Sequence, residues 1–510
     1  MSYRLKMKCY FNNLLLLIGL LSVQPFNLLM GQVNSGAFIS GDFADPSVIK
    51  VKNTYYAVGT SSEWAPHFPI YTSENLHDWK QAGYVFDKAP EWTSGSFWAP
   101  EYYYRNNTYY IYYTARRKAD NISCIGVATS KYPDRGFKDQ GVIVSFGKEA
   151  IDGFVYNDNG QLYITFKAYG LDKRPIEILG SRLSADGLKL EGEVFSLLKD
   201  NNRMGMEGQS ILHKDGFFYL FYSSGDCCGR GCSYNVRVAR SKEFKGPYEE
   251  YSQNPVLQSN DAWKCPGHGT FVQQDDGKYM YIYHAYNKQS NVFTGREGML
   301  AELVWGNNDS WPSFVSQQTD NSSTGNITAS FEGQKIAPYW QWDFRNVTPV
   351  IHQEKGKLYL SGTSKEGNNS GVVLTVRPVS NHFDLTTTVA NSNAALKGLA
   401  FYGDANAAIG VGTVNDKVEF WMVKDNIRSV LATGDIKAGV PVQLKFTMKP
   451  DLTCEVFYRQ EGNDWQQVAP EIKRDVSFLP QWDRSPRAGL HFKGDSNLEA
   501  AFSSFEMVNR

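Results

Sequence analysis

Three acidic residues have the type and placement needed for acid–base chemistry: Asp45, Asp152 and Glu207. Each stands at the start of an apolar, aromatic-rich segment, in "DPSVI", "DGFVY" and "EGQSI". Burying several carboxylates near one another is costly and raises the pKa of at least one of them, so such a group needs a chemical reason. A carboxyl that stays protonated and one that stays ionised would supply the general acid and the general base of a hydrolytic reaction.

A repeated unit of the chain positions these three residues. Five copies begin at Asp45, Trp98, Asp152, Glu207 and His268, which lie 53 to 61 residues apart. Each copy has two alternating, aromatic-rich stretches joined by a turn of Asn or Gly type, which is the signature of a β-hairpin. Five copies predict an all-β, five-bladed β-propeller over residues 36–314. Because the innermost strand of each blade begins near the axis, we expect the five residues to form a ring at one mouth of the channel.

The rest of the chain has a different pattern. Residues 315–334 are polar and rich in Ser, Thr and Asn, and they are typical of a linker. Residues 335–510 again contain short alternating segments, such as "KVEFWMV" and "VQLKFTM", without the propeller repeat. This region is predicted to be an antiparallel β-sandwich.

The N-terminus indicates export. Arg4, Lys6 and Lys8 precede the apolar run "LLLLIGLL", and small or polar residues follow it. We interpret residues 1–31 as a signal peptide, which predicts a periplasmic or extracellular protein. The run is shorter than the roughly 20 residues of a membrane-spanning helix, so no membrane span is predicted, although a permanent anchor is the alternative.

Composition restricts the partner. The 510 residues carry a formal net charge of −1, which gives no electrostatic footprint for nucleic acid or an anionic membrane. The chain has 30 Tyr, 30 Phe and 12 Trp, whose flat rings suit either β structure or stacking on sugars. An uncharged partner, such as a carbohydrate, is therefore expected.

Six cysteines follow the predicted signal peptide. The cluster "GDCCGRGC" could suggest zinc, but it lacks a second pair at metal-ligand spacing. In an oxidising compartment a local disulfide or buried thiols are the better interpretation. The six are Cys124, Cys227, Cys228, Cys232, Cys265 and Cys454.

The blade-opening motifs together resemble glycoside hydrolase family 43. They are "ADPSV", "FWAPE", "IDGFVYNDNGQLYI", "MEGQSI" and "PGHGTF", in order over residues 37–314. The resemblance implies a five-bladed propeller and hydrolysis with inversion at the anomeric carbon. It makes Asp45 the base that activates water, Glu207 the acid, and Asp152 the carboxylate that orients the acid and raises its pKa. The third motif departs from the "IDPxxFxD" of many relatives but retains the carboxylate.

The same resemblance implies residues that bind substrate. Phe97 and Trp98 would line the sugar subsite, and Arg296 would contact the glycone, the sugar whose bond is cleaved. From the residues alone, Trp98 could be core, although its position at a blade start favours stacking on a sugar, and Arg296 could form a structural ion pair with Glu297 or Glu302.

His268 corresponds to the family's axial histidine, which in several relatives lies beside a hydrated calcium or other cation. The resemblance therefore implies a structural cation in the channel, held near His268 through water, and no cofactor for the chemistry. A hydrogen-bonded core histidine without metal is the alternative.

The C-terminal region resembles the concanavalin-like, or jelly-roll, sandwich appended to family β-xylosidases and arabinofuranosidases. The implied function is an exo-acting α-L-arabinofuranosidase or β-xylosidase that degrades arabinose- or xylose-containing plant glycans, such as arabinan and xylan. Endo-acting arabinanases and xylanases and β-galactan hydrolases share the catalytic motifs, so these stay as alternatives. A non-catalytic carbohydrate-binding propeller and an adhesion protein are two further classes.

Overall fold

The computed structural model describes residues 36–168, 175–306, 311–319 and 325–510. The predicted signal peptide, residues 1–31, lies outside these ranges. Within them, no helix is long and apolar enough to cross a membrane.

The first part of the described chain forms five antiparallel sheets of four strands each, which follow one another along the sequence. In each sheet the strands pair in chain order; β3 lies outside the first sheet. The strands of the first two sheets are β1 (Ser47–Val51), β2 (Thr54–Val58), β3 (Trp64–Ala65), β4 (His67–Ser73), β5 (Lys80–Phe86), β6 (Thr93–Arg105), β7 (Thr108–Arg117), β8 (Ser123–Ser130) and β9 (Lys138–Val144).

The next three sheets have the same order. Their strands are β10 (Ala150–Asp158), β11 (Gln161–Ala168), β12 (Glu177–Arg182), β13 (Phe195–Lys199), β14 (Met206–Lys214), β15 (Phe217–Ser224), β16 (Asn235–Ser241), β17 (Glu249–Glu250), β18 (Trp263–Gln273), β19 (Tyr279–Asn287), β20 (Arg296–Trp305) and β21 (Pro312–Ser316). These five sheets are the blades of the predicted propeller.

Turn chemistry explains the hairpins that open the blades. The β10–β11 turn places Asn159 and Gly160 at φ of 48° and 97°, and the β14–β15 turn places Asp215 and Gly216 at 51° and 79°. Two-residue turns with positive φ at both positions match the right-handed twist of the strands, and Asn, Asp and Gly adopt them at least cost. Aromatic rings pack between the blades, as where Phe68 of β4 meets Phe97 of β6.

The ring of blades is closed by the segment before β1. The N–H of Phe38 donates to the carbonyl of Gly298 in β20 at 2.9 Å, and the N–H of Gly298 donates back to Ile39 at 2.9 Å. Val48 of β1 also donates its N–H to the Thr270 hydroxyl of β18 at 3.1 Å. The fifth blade is therefore joined to the first by chain segments more than 200 residues apart.

The second part of the described chain forms two packed sheets. The larger sheet runs β24-β25-β37-β27-β32-β33-β34, with β22 also paired to β37 and β35 also paired to β33, and the smaller runs β26-β36-β28-β29-β30-β31. The strands are β22 (Ile327–Thr328), β23 (Trp342–Asp343), β24 (Val347–Glu354), β25 (Lys357–Ser364), β26 (Val372–Val376), β27 (Phe383–Val389), β28 (Leu396–Asp404), β29 (Ala407–Val414), β30 (Lys417–Lys424), β31 (Ile427–Asp435), β32 (Val442–Met448), β33 (Thr453–Gln460), β34 (Gln466–Gln467), β35 (Arg474–Asp475), β36 (Arg487–Lys493) and β37 (Ala500–Asn509).

Alternation along the strands builds the core of this sandwich. β27 and β32 each alternate buried and half-buried residues, with Leu385 and Phe446 among the fully buried ones. Each sheet thus has one apolar face, and the apolar faces of the two sheets pack against each other. A five-bladed propeller followed by a β-sandwich confirms the fold predicted from the sequence.

The two domains share a polar interface. Strand β3 of the propeller pairs with β23 of the sandwich. Buried Arg487 donates to the carboxylate of Asp42 at 3.2 Å and lies over the ring of Trp64. Residues 315–334, which the sequence suggests as a linker, include the end of β21 and the whole of β22.

Candidate active site

A cavity of about 400 Å³ collects the five blade-opening residues. Asp45, Trp98, Asp152, Glu207 and His268 all line it, one from each blade. The structure thus brings together residues that lie more than 200 positions apart in the sequence. The volume falls within the roughly 300–1,000 Å³ that is usual for pockets that bind small ligands.

Backbone geometry turns these residues toward the cavity. Each blade has a residue with φ between 42° and 60° where its inner strand lines the cavity, and in every blade except the first a register shift of the inner strand accompanies it. Such bulges re-aim side chains and are frequent beside active sites. The residues are Asp45, Ala99, Asp152, Gly208 and His268. In the second and fourth blades the residue with positive φ is Ala99 or Gly208, so Trp98 and Glu207 each lie one residue before it. The sequence repeat, which aligns Trp98 and Glu207 with Asp45, does not show this offset.

Side chains of the preceding blade fix this backbone. The N–H of Ala99 donates to the Thr60 hydroxyl at 2.8 Å, and the N–H of Asp152 donates to the Thr114 hydroxyl at 3.1 Å. The N–H of His268 donates likewise to a hydroxyl, that of Ser223, at 2.8 Å. Each contact crosses from one blade to the next, so the ring of site residues is held by the ring of blades.

Asp45 is held as an ionised carboxylate. Its Oδ2 accepts from the Thr60 hydroxyl at 2.6 Å, and its Oδ1 accepts from Nη1 of Arg296 at 3.2 Å. Nδ1 of His268 lies 3.4 Å from the same Oδ1. Burial would raise the pKa of Asp45, but Arg296, with a smaller effect of His268, outweighs it and holds that pKa well below its usual range.

His284, at the base of the site, was not foreseen from the sequence. Burial lowers its pKa to about 4, so the ring is neutral and Nδ1 can accept a hydrogen bond. That nitrogen accepts the N–H of Asp45 at 3.0 Å. His284 thus supports the backbone of Asp45 without adding a second positive charge beside it.

His268 lies between two carboxylates. Its Nδ1 is 3.4 Å from Oδ1 of Asp45 and 3.9 Å from Oδ2 of Asp152. Gly208 makes this approach feasible, because a Cβ at that position would lie 2.7 Å from Cγ of His268. The N–H of Gly208 in turn donates to Oδ2 of Asp152 at 2.9 Å.

Glu207 is held by two partners that the sequence did not reveal. Its Oε2 accepts from Nζ of Lys167 at 2.6 Å, and its Oε1 accepts from the Tyr234 hydroxyl at 3.0 Å. Burial would raise the pKa of Glu207, but Lys167, together with His268 and Tyr234, lowers it. No sequence signal marks Lys167, since it lies in β11 within an ordinary aromatic strand.

Asp152 has the opposite electrostatic surroundings. Burial raises the pKa of Asp152 to about 6 against a lowering by His268, and the charge of Glu207 contributes a smaller part of the rise. Two buried carboxyls that interact share their protons, so one proton stays on this pair up to about pH 6. The proton favours Asp152 when no substrate is bound. This differs from the expectation that Glu207 holds it, and the ion pair with Lys167 is the reason.

Of the residues expected to bind substrate, Trp98 and Arg296 line the cavity and Phe97 does not. Trp98 is half-buried and lines the cavity, with the Arg116 guanidinium 5.7 Å from the centre of its ring. Arg296 also lines the cavity and pairs with Asp45 rather than with Glu297 or Glu302. Phe97 does not reach the cavity.

The reason for Phe97 is strand alternation. Successive residues of β6 point to opposite faces, so a ring next to Trp98 is directed away from the cavity. Phe97 is fully buried and stacks on His67 with ring centroids 3.9 Å apart. The expectation that it lines a sugar subsite is therefore corrected: its place is the core between the first two blades.

The sandwich domain contributes to the cavity wall. Oδ2 of Asp483 accepts from Nε1 of Trp98 at 3.2 Å, and the Asp483 carbonyl accepts from Nη2 of Arg296 at 2.9 Å. Its neighbour Trp482 lines the same cavity with 62% of its surface exposed. Two residues on which substrate binding was expected to depend are thus held in place by the second domain.

A pair of adjacent cysteines also lines the cavity. Cys227 and Cys228 are joined by a disulfide, and a second disulfide joins Cys232 to Cys265. Cys124 and Cys454 are buried thiols. The sequence suggested a local disulfide or buried thiols, and the structure contains both.

The residues near His268 do not offer direct ligands for a cation. In the described ranges, no group of three or more His, Cys, Asp or Glu side chains is arranged to hold a metal ion. Nδ1 of His268 is directed at carboxylates that Arg296 and Gly208 already engage. A cation at this place would have to contact the protein through water, as the sequence resemblance implies.

Comparison with known proteins agrees with this geometry. The family model of glycosyl hydrolases family 43 matches residues 36–312, and that of the β-xylosidase C-terminal concanavalin A-like domain matches residues 328–482. An extracellular endo-α-(1→5)-L-arabinanase 1 of Bacillus subtilis is 26% identical over 293 residues, covering 53% of this chain and 87% of that protein.

Two further relatives extend the comparison. An extracellular exo-α-(1→5)-L-arabinofuranosidase of Cellvibrio japonicus is 28% identical over 320 residues, covering 55% of this chain and 88% of that protein. The crystal structure of a xylan β-1,4-xylosidase from Bacillus halodurans has the same two-domain fold, with a TM-score of 0.80 at 20% identity, over 92% of this chain and 99% of that one. With a family model spanning more than half of its length and all five blade-opening motifs in one cavity, this chain belongs to glycoside hydrolase family 43.

Proposed function

We propose that this enzyme hydrolyses the glycosidic bonds of arabinose- or xylose-containing plant glycans, as an exo-acting α-L-arabinofuranosidase or β-xylosidase. The observation that carries the proposal is the convergence of Asp45, Asp152 and Glu207 in one cavity that also has Arg296 and Trp98. The relatives named arabinanase, arabinofuranosidase and xylosidase support the substrate class.

The proposed base is Asp45. Its carboxylate stays ionised because the Arg296 guanidinium and the Thr60 hydroxyl both donate to it, so it can take a proton from water at ordinary pH. The proposed acid is Glu207, which donates a proton to the leaving oxygen on the other face of the sugar, as an inverting enzyme requires.

The proton for the acid comes from the pair of Asp152 and Glu207. One proton is shared by the two carboxyls up to about pH 6, and it favours Asp152 while Lys167 holds Glu207. We propose that this proton passes to Glu207 when substrate binds, that the charge then left on Asp152 raises the pKa of Glu207, and that Lys167 limits that effect. Asp152 therefore acts on the acid rather than on the sugar.

Exo action is proposed because the sandwich covers one side of the cavity. Asp483 of the sandwich, which contacts Trp98 and Arg296, adds a wall on the side of these two residues, which favours the end of a sugar chain over its interior. Endo action on arabinan is the second candidate, because a relative at 26% identity is named an endo-arabinanase. Linear arabinan and xylan distinguish the two: exo action releases monosaccharide from the start, whereas endo action releases a ladder of oligosaccharides.

The central test replaces the acid. In Glu207→Gln, hydrolysis of short arabino- and xylo-oligosaccharides should fall by about 10²–10⁴-fold. Hydrolysis of 4-nitrophenyl α-L-arabinofuranoside and the matching β-xyloside should fall less, because 4-nitrophenolate leaves with little help from an acid. Glu249→Gln is the matched control, since this glutamate lies in the same blade with its side chain 71% exposed. Equal hydrolysis by Glu207→Gln and the wild type would remove Glu207 as the acid. Proton NMR of the first-formed sugar then shows whether the anomeric centre inverts.

We also propose export to the periplasm or the extracellular space, based on the signal-peptide pattern of residues 1–31. N-terminal sequencing of the protein from its native host should give a start near residue 32. A retained residue 1 would contradict the proposal.

A hydrated structural cation near His268 is a further proposal, and it has no part in the acid–base steps. Metal analysis of the purified protein and thermal unfolding with and without a chelator test it. A melting temperature unchanged by the chelator, in protein without bound metal, would reject it.

A further inference from the structure

The Cys227–Cys228 disulfide stands on the acid side of the cavity. Strand β14 carries Glu207 and pairs with β15, with Glu207 opposite Ser223 and Met206 opposite Ser224. The chain reaches Cys227 only three residues after Ser224, and both cysteines line the cavity. An acid that protonates the leaving oxygen lies next to the leaving sugar, so the disulfide is placed where that sugar must lie.

The turn that carries the disulfide is held at several points. The N–H of Gly229 donates to the Tyr286 hydroxyl at 3.0 Å, and Arg230 donates to the carbonyl of Ser477 in the sandwich at 2.9 Å. The second disulfide, Cys232–Cys265, ties the turn to β18. A surface fixed in this way loses little conformational entropy when a ligand binds.

A second cavity of about 620 Å³ meets the first at the same place. Asp226, Cys228 and Trp482 line both cavities, and Arg230, Ser477 and Gln481 line only the second. Gly229 brings the turn close to Trp482, since a Cβ there would lie 3.6 Å from its ring. The path away from Glu207 therefore passes between sulfur and indole and then widens.

We propose that the Cys227–Cys228 disulfide and Trp482 form the binding surface for the leaving-group sugar, with room beyond them for a further sugar. Polarisable sulfur and an indole ring are uncharged surfaces that suit the C–H face of a sugar. This inference rests on the proposed hydrolysis and specifies its substrate. Because the surface binds the leaving-group sugar, the enzyme should prefer oligosaccharides to glycosides without a second sugar. Neither cysteine takes part in the chemistry.

The test separates the leaving sugar from the rest of the reaction. A glycosyl fluoride carries the same glycone but no leaving sugar, so the ratio of kcat/KM for a disaccharide to that for the fluoride isolates the proposed contact. If the wild type cleaves arabinosides, the two probes are α-1,5-arabinobiose and α-L-arabinofuranosyl fluoride. If it cleaves xylosides, they are xylobiose and β-D-xylosyl fluoride. In the double variant Cys227→Ser/Cys228→Ser, and separately in Trp482→Ala, this ratio should fall about tenfold.

Tyr132→Ala is the matched control for Trp482→Ala, because it removes a 53% exposed aromatic ring that lines neither cavity. Its ratio should equal that of the wild type. An unchanged ratio in both Cys227→Ser/Cys228→Ser and Trp482→Ala overturns the inference, and so does an equal loss on both substrates. If the cysteine variant does not fold, the ratio measured for Trp482→Ala decides the test by itself. A wild type inactive on every probe would instead overturn the proposed function.

Discussion

Three chemically similar carboxyls acquire different properties from their neighbours. Asp45 has the Arg296 guanidinium against it, Glu207 has the Lys167 ammonium, and Asp152 has the His268 ring 3.9 Å away. Because all three are buried, these partners decide which carboxyl keeps a proton. The sequence shows the carboxyls at the starts of repeats, but their cationic partners lie 40 to 251 residues away.

Lys167 should set the upper pH limit of activity. The variant Lys167→Met removes the charge that lowers the pKa of Glu207, so that pKa rises. Because the acid must be protonated, the basic limb of kcat/KM should move to higher pH, by about one to three units. The measurement is kcat/KM against pH on an oligosaccharide, whose leaving group needs the acid.

The control for this shift is Lys278→Met. Lys278 also pairs with a glutamate, Glu302, but at the surface, with 51% of its side chain exposed. Its pH profile should match that of the wild type. A basic limb that stays in place, or moves to lower pH, in Lys167→Met would mean that Glu207 is not the group whose protonation limits the rate.

At the scale of elements, the decisive feature is the beginning of each inner strand. At this point of each blade the backbone has a positive φ. In three blades its N–H also donates to a hydroxyl of the preceding blade, so the inner strands keep the same orientation toward the cavity. The arrangement requires a closed ring, and closure depends on the segment before β1. Gly41 of that segment donates its N–H to Oε2 of Glu297 in β20 at 3.2 Å.

Glu297 should make the stability of the ring closure depend on pH. Burial raises its pKa to about 7, so the folded protein keeps a proton that the unfolded chain releases near pH 4.5. Its stabilising contribution is complete below about pH 4.5 and is lost as the pH rises through 7. Relative to Glu297→Gln, the wild type should lose up to about 3 kcal/mol of unfolding free energy between pH 4.5 and 8.

Urea unfolding of both proteins at several pH values measures this difference. A difference that stays constant over the range would show that Glu297 is already ionised in the folded protein. A difference of the opposite sign would mean that the folded state favours the ionised carboxylate.

At the scale of the molecule, the two domains form one functional unit. Asp483 of the sandwich orients both Trp98 and Arg296 of the propeller, across more than 180 residues of sequence. Asp42 and Arg487 form a buried ion pair in the interface, with side chains 10% and 2% exposed. The active site is thus complete only when the sandwich is docked.

Removing the arginine of that pair should destabilise the whole protein. Arg487→Met leaves the carboxylate of Asp42 buried without its partner and also removes the hydrogen bond to Gln341. The expected loss of unfolding free energy is about 3–5 kcal/mol. Denaturant unfolding measures it, with Arg135→Met as the control, because Arg135 is 63% exposed and should matter by less than about 0.5 kcal/mol. Equal stability of the two variants would show that the interface does not depend on the ion pair.

The sequence alone determined the five blades, the sandwich and the three carboxyls at the blade starts, because hairpin turns and strand alternation are local signals that repeat along the chain. Only the tertiary structure decided that Phe97 turns into the core, that Lys167 holds Glu207, and that Trp482 and the Cys227–Cys228 disulfide stand at the cavity. These facts depend on which blade and which domain face one another. Local periodicity does not encode such contacts, because they are set by packing between distant segments.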